Sequence, residues 1–171
     1  MEEKNLPQRK PTRWAGFDYS RGGAYFITVC TQDRKMILST VAKTETVKPV
    51  GEGFALPQLT RIGQIVEKWL GRINEHFPSA NLGEYVIMPN HIHLIVHLED
   101  TDGRADPSPT VSNVIGWLKY NITKEVNLQK GQKLFQRSFY DRIIRNGDEY
   151  MEICNYIRLN PDNWENDELY N

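Results

Sequence analysis

Cysteine is scarce in this 171-residue chain. Its two cysteines, Cys30 and Cys154, lack the close spacing of a thiolate metal site. In a reducing compartment such residues pack as small hydrophobes, so both are expected as buried thiols. Long hydrophobic runs are missing as well. No stretch of about eighteen apolar residues is available for a membrane helix, and the opening "MEEKNLPQRKPTRW" lacks the apolar segment of a secretory leader. The expectation is a soluble, cytoplasmic protein with no membrane partner, in which the Asn121-Ile122-Thr123 sequon has no meaning. An excess of one charge is also lacking. Lys and Arg number 21 against 22 Asp and Glu, for a net charge of −1, and the pI is about 6.4. No global positive field exists, so any polyanion site must be a local patch. There are no internal repeats, and the length suits one compact domain.

What is present alternates between strand and helix signals. Residues 1–23 are polar, basic and broken by Pro7, Pro11 and Gly22-Gly23, which reads as an arm with little regular structure. "AYFITVCT", 24–31, is β-branched and aromatic, a buried strand. The segment 39–57 has no clear period and reads as a loop with one short hairpin. "LTRIGQIVEKWLGRINEHF" carries apolar residues at 62, 65, 66, 69, 70 and 73, the spacing of an amphipathic helix, and Pro78 stops it. Residues 84–88 and 91–98 are strand-like runs around Pro89-Asn90, a turn pair, and so form a hairpin. The acidic, Gly- and Pro-bearing "LEDTDGRADPSPT" is a surface loop. Helical spacing resumes through Val111, Val114, Ile115, Leu118 and Ile122. "LQKGQKLFQRSFYDRIIRN" holds an uncertain strand. A last helix opens on Asn146 with Glu149 three residues on, and Pro161 is expected to end it by pushing Asn160 out of the α region. This order predicts an α+β fold, a ferredoxin-like or RRM-like antiparallel sheet with helices packed on one face.

The strand "HIHLIVHL" contains the residues that need explaining. Alternation puts His91, His93, Ile95 and His97 on one side and Ile92, Leu94, Val96 and Leu98 on the core side. His91 and His93 lie about 7 Å apart at Cα, near enough for both rings to reach one divalent metal. Two ligands do not make a site, so the pair needs a partner elsewhere. His97 reads as a solvated strand-end residue and His76 as a helix-dipole partner. In the last helix Tyr150, Ile153, Cys154 and Ile157 form the core stripe, while Tyr156 and Asn160, four apart, share a second one. A phenol is a covalent nucleophile and an amide oxygen a hard ligand for Mg²⁺ or Mn²⁺. The competing reading of the pair is a half-buried tyrosine and a capping asparagine.

"MPNHIHLIV", "FYDRIIRN" and "YIRLNP", with the opening "FDYSRGGAYFITVCTQDR", resemble the REP-associated tyrosine transposases of the HUH single-strand transposase group. The resemblance runs from about residue 13 to Pro161 and divides the chain into an arm (1–23), an HUH tyrosine transposase domain (24–163) and a C-terminal tail (164–171). It implies a bound Mg²⁺ or Mn²⁺ and cleavage and rejoining of single-stranded, REP-like DNA hairpins through a 5′-phosphotyrosine. On it His91 and His93 are metal ligands flanking Ile92, Tyr156 is the nucleophile, and Asn160 stands where a third ligand belongs.

Cations interleaved with aromatics are the mixture that holds single strands. Arg13, Arg21, Lys119, Arg137, Arg142 and Arg145 are the DNA-binding candidates, with Trp14 and Phe17 able to stack or dock. The acidic loop 99–106 and the tail "DNWENDELYN" oppose phosphate, and 39–57 reads as an insertion. Two rival readings stand beside the nuclease: a hairpin-binding module that does not cut, and a metal hydrolase using His91, His93 and His97. The oligomeric state, monomer or homodimer, is open.

Overall fold

The computed structural model describes residues 22–41, 57–99, 109–129 and 131–170. Arg13, Arg21, Trp14 and Phe17 lie outside them, as do 42–56 of the supposed insertion and 100–108 of the acidic loop. Along the chain come β1 (Gly23–Cys30), β2 (Ser39–Thr40), β3 (Gln58–Leu59), α1 (Arg61–Leu70), α2 (Ile73–His76), β4 (Ala80–Ile87), β5 (His91–Leu98), α3 (Val111–Val126), β6 (Tyr140–Ile144) and α4 (Gly147–Leu159). The long strands form one sheet in the order β4-β5-β1-β6, with every pairing antiparallel. Its β1-α1-β4-β5-α3-β6 path is the β-α-β-β-α-β ferredoxin-like topology.

Period-two alternation in β1 and β5 builds the main core. Tyr25, Ile27 and Val29 of β1 join Ile92, Leu94 and Val96 of β5, and onto them pack Val66 and Leu70 of α1 and Val114, Ile115, Leu118 and Ile122 of α3. Each such side chain, fully removed from water, contributes roughly 1.5–3 kcal/mol. Helix α3 begins on a capping box, with the Asn113 N–H donating to Thr110 Oγ1 at 3.2 Å and the Thr110 N–H to Asn113 Oδ1 at 3.1 Å. Helix α1 begins at Thr60, whose Oγ1 accepts from the Gly63 N–H. Gly63 is required there: a Cβ would stand 2.0 Å from the Leu38 carbonyl oxygen.

The α+β antiparallel architecture stands, with one difference. Helices α1 and α3 cover one face, but α4 lies on the other, where Ile153, Cys154 and Ile157 meet Val86, Ile95 and Ile144. The placement of all helices on one face is corrected by that second layer, and the reason lies in the strands. Ile95, Val86 and Ile144 share the histidine face, and leaving them in water would forfeit their burial.

Local boundaries differ too. The helix expected to run to Phe77 tightens at Gly71-Arg72, where the Arg72 N–H turns back to Trp69 O at 3.2 Å, so α1 and α2 are separate. Strand β4 starts at Ala80, ahead of the expected residue 84, and its register shifts between Leu82 and Tyr85. That bulge interrupts the alternation by which the strand would be read. The uncertain strand is β6. Ser39-Thr40 pairs with Gln58-Leu59 as a two-stranded ribbon, in line with a short hairpin. Asn160, expected outside the α region, keeps φ −56° and ψ −42°. The helix ends because Pro161 has no N–H to offer. The chain turns on as a 3-10 segment through Trp164 and carries residues 164–170 back over the histidines. Cys154 is buried as expected, whereas Cys30 is partly exposed.

Candidate active site

Helix α4 runs antiparallel to β5 across the histidine face and meets it at three levels. Tyr150 OH lies 3.3 Å from His97 Nε2 and Tyr156 OH lies 3.3 Å from His93 Nε2. Asn160 approaches His91 closely enough to favour its protonated form. Ten helical residues rise about 15 Å and six strand residues span about 20 Å, near enough for side chains to make up the difference at all three levels. The i, i+4 spacing of Tyr156 and Asn160 thus matches the i, i+2 spacing of the histidines. Neither histidine is solvated: His91 is 0% exposed and His93 3%.

Hydrogen bonds set the ring tautomers. Asn90 Nδ2 donates to the Leu169 carbonyl at 2.8 Å, which leaves Asn90 Oδ1 facing His91 Nδ1 at 2.8 Å. His91 Nδ1 therefore carries the proton, and Nε2 presents a lone pair. His93 Nδ1 sits 2.9 Å from Thr28 Oγ1. With Nδ1 as the donor toward Thr28, the His93 Nε2 lone pair is directed to the side of Tyr156, so both Nε2 atoms face one site. Burial pushes His91 down to about 4, with Asp167 and Asn160 opposing and Arg34 adding to the fall. Burial first, then His91, lowers His93 well below the usual range. Both rings are neutral near pH 7, the form a metal requires.

The third partner comes from a residue that the sequence reading left in the tail. Ligand atoms of His91, His93 and Asp167 lie within 4.8 Å of one another. Asp167 is held from two sides: Asn160 Nδ2 donates to its Oδ2 at 2.7 Å and the Leu169 N–H to its Oδ1 at 2.6 Å. Trp164, 7% exposed, packs its ring 5.9 Å from that of His91. Residues 164–170 thus fold onto the site. The only signal for Asp167 in the chain was an acidic residue eleven positions past Tyr156, and nothing local distinguishes it from Glu165 or Glu168. His91 Nε2 and Asn160 Oδ1 are buried with no well-formed hydrogen bond among the described residues. Two orphaned lone pairs beside a carboxylate are what a cation would satisfy. His97, by contrast, stays outside this group and is occupied with Tyr150.

Tyr156 is half exposed, and burial, followed by Asp167 and Glu168, raises its pKa. Its ring meets Phe26 edge-on, centroids 6.0 Å apart. Of the DNA-binding candidates, Lys119 is the clearest correction. Its Nζ donates to the carbonyls of Gln136, Arg137 and Ser138 at 2.9, 3.4 and 3.1 Å, and burial lowers it to about 8. That ammonium staples the loop before β6 and is not offered to phosphate. Arg142 lies on the histidine face through its pairing with Phe26 and bonds Glu149 at 3.0 Å. Arg137 and Arg145 are exposed near the same edge. His76, in the last turn of α2 as expected, stacks on Trp117 at 4.7 Å.

No family model matches the chain. An uncharacterized protein of Haemophilus influenzae is 28% identical over 183 residues, spanning 96% of this chain and 94% of the relative. A second protein of that organism, named "Putative REP-associated tyrosine transposase", is 25% identical over 155 residues, 84% of this chain and 73% of its own length. A solved REP-associated tyrosine transposase bound to a REP hairpin superposes with a TM-score of 0.59 at 21% identity, covering 84% of this chain and 69% of that one. The chain resembles the REP-associated tyrosine transposases in sequence and in fold. Set against that resemblance, the two histidines, Tyr156 and Asn160 converge on one centre, Asp167 joins them, and no helix among the described residues is long and apolar enough to cross a membrane.

Proposed function

We propose that this chain is a transposase-type enzyme that binds single-stranded DNA hairpins and nicks and rejoins them through Tyr156. The observation carrying this reading is the meeting of a half-exposed phenol with two buried histidines and a partly buried carboxylate: Tyr156 OH stands 3.3 Å from His93 Nε2. The transposase relative supports the reaction class, and the structural neighbour with its REP hairpin supports the choice of DNA.

The donor set fits a divalent cation. His91 Nε2, His93 Nε2 and an Asp167 oxygen would hold it, with Asn160 Oδ1 as a further oxygen, and two neutral nitrogens with hard oxygens suit Mn²⁺ or Mg²⁺. When bound, the cation supplies Lewis-acid polarisation of a non-bridging phosphate oxygen and offsets the carboxylates that raise Tyr156. Tyr156 Oη forms a bond to phosphorus as the P–O3′ bond breaks, giving a 5′-phosphotyrosine, and the departing 3′ oxygen ends as a hydroxyl carrying a proton. Attack by a second 3′-hydroxyl reverses the step and returns the phenol, with no external energy source. Phe26 orients the phenol by edge-on ring contact, and Asn160 orients Asp167.

The test is a synthetic hairpin oligonucleotide with a single-stranded flank, incubated with Mg²⁺ or Mn²⁺. A denaturant-resistant protein–DNA adduct is expected, absent from Tyr156→Phe and in the presence of a chelator. An adduct that survives Tyr156→Phe overturns the assignment. Salt-sensitive hairpin binding that ignores chelator and never yields an adduct makes the protein a binding module instead.

A further inference from the structure

Beside the cluster opens a cavity of about 610 Å³, within the range of about 300–1,000 Å³ usual for small-ligand sites. Tyr156, His93 and Asp167 line it together with Phe26, Tyr140 and Glu168, among others. Three features show what it takes. The Tyr140 ring is 48% exposed and has no aromatic partner among the described residues, although it shares the histidine face through its pairing with Thr28. The walls are aromatic. Its carboxylates, set among the neutral Thr28, Gln136 and Ser138, make the lining acidic: the Glu168 carboxylate has no hydrogen bond or ion pair among the described residues, and Asp167 stands next to it. Such a lining repels phosphate and accepts from amino groups. An aromatic-walled slot with a free carboxylate, opening onto a nucleophile for phosphodiesters, is complementary to a base and not to a backbone.

We infer that this cavity seats the unpaired base beside the scissile phosphate, stacked on Tyr140 and held through its exocyclic amino group by Glu168. The inference rests on the proposed DNA reading and adds to it a preference at one position: adenine, cytosine and guanine present an amino donor, and thymine does not. Base stacking on one aromatic side chain is sequence-tolerant, so Tyr140 supplies affinity and Glu168 discrimination.

The experiment uses the full chain carrying Tyr156→Phe, which keeps the ring and stops turnover, with hairpin oligonucleotides bearing 2-aminopurine at successive flank positions. Stacking in the cavity quenches the fluorophore at one position next to the scissile phosphate. Adding Tyr140→Ala should loosen binding about 5- to 100-fold, the size of one lost stack, yet leave unchanged the binding of an oligonucleotide abasic at that position. Glu168→Gln should collapse a preference of about tenfold or more for amino-bearing bases over thymine there. Quenching nowhere in the flank, or an equal Tyr140→Ala effect on intact and abasic DNA, overturns the inference while leaving hairpin binding standing. No binding of any oligonucleotide overturns both.

Discussion

The two faces of the sheet are built from the same strands by alternate residues, and they are buried in different ways. On one, Tyr25, Ile27, Val29, Ile92, Leu94 and Val96 meet helices α1 and α3 in a continuous apolar core. On the other, Phe26, Thr28 and Cys30 of β1 lie opposite Ile95, His93 and His91 of β5, under α4 and the returning C-terminal segment. The first face is closed almost wholly by apolar packing. The second leaves His91 Nε2 and Asn160 Oδ1 without a good partner among the described residues. Burial on one side stabilises the fold, while on the other it holds polar groups ready for a ligand, at some cost in stability.

Breaking the apolar face should have the largest effect. Leu94→Ala removes a fully buried side chain, and a loss of about 2–5 kcal/mol is expected. It should be visible in a denaturant midpoint, with adduct yield per folded molecule unchanged. An effect below about 1 kcal/mol would mean the core rearranges around the site.

The histidine face should respond to acid. His91 stays neutral in the folded protein down to about 4, against 6.5 when unfolded. The unfolded chain then binds the extra proton between those values, so stability is full above pH 6.5 and falls as the pH drops toward 4. At about 1.4 kcal/mol per pKa unit the loss is roughly 3 kcal/mol from this residue. His91→Gln should flatten the slope of melting temperature against pH, and an unaltered slope would move its origin elsewhere.

Removing the carboxylate sharpens the contrast further. Asp167→Asn should weaken Mn²⁺ binding, followed by calorimetry or EPR without DNA, by about 10- to 100-fold. Metal affinity unchanged by Asp167→Asn and reduced by Asn160→Ala would give the third place to Asn160. The smallest effects belong to the edge. Arg142→Ala should lower the salt dependence of hairpin binding by roughly one phosphate contact. Lys119→Gln should leave that slope alone and instead loosen the loop 136–138, seen as faster amide exchange there.

Much of this molecule is written in local pattern. Helix α3 follows its apolar stripe and cap, and the hairpin around Pro89-Asn90 and the stripe of Ile153, Cys154 and Ile157 come from spacing alone. The failures have physical causes. The β4 bulge breaks alternation before Tyr85, so the strand is read as starting late. Pro161 ends α4 without forcing Asn160 out of the α region. Lys119 looks like a phosphate ligand because its partners, three carbonyls some seventeen residues on, are invisible along the chain.

Sequence by itself determined which residues share a face: His91 with His93, Tyr156 with Asn160, the apolar alternation with the core. Those are properties of the 2.0 and 3.6 periods, set within a few residues. Only the tertiary structure decided that α4 would cross the histidine face, that both imidazoles would be dry and neutral, and that Asp167 would come back to complete their cluster. Each of these depends on contacts between segments far apart in the chain, where packing chooses among faces that local pattern leaves equivalent.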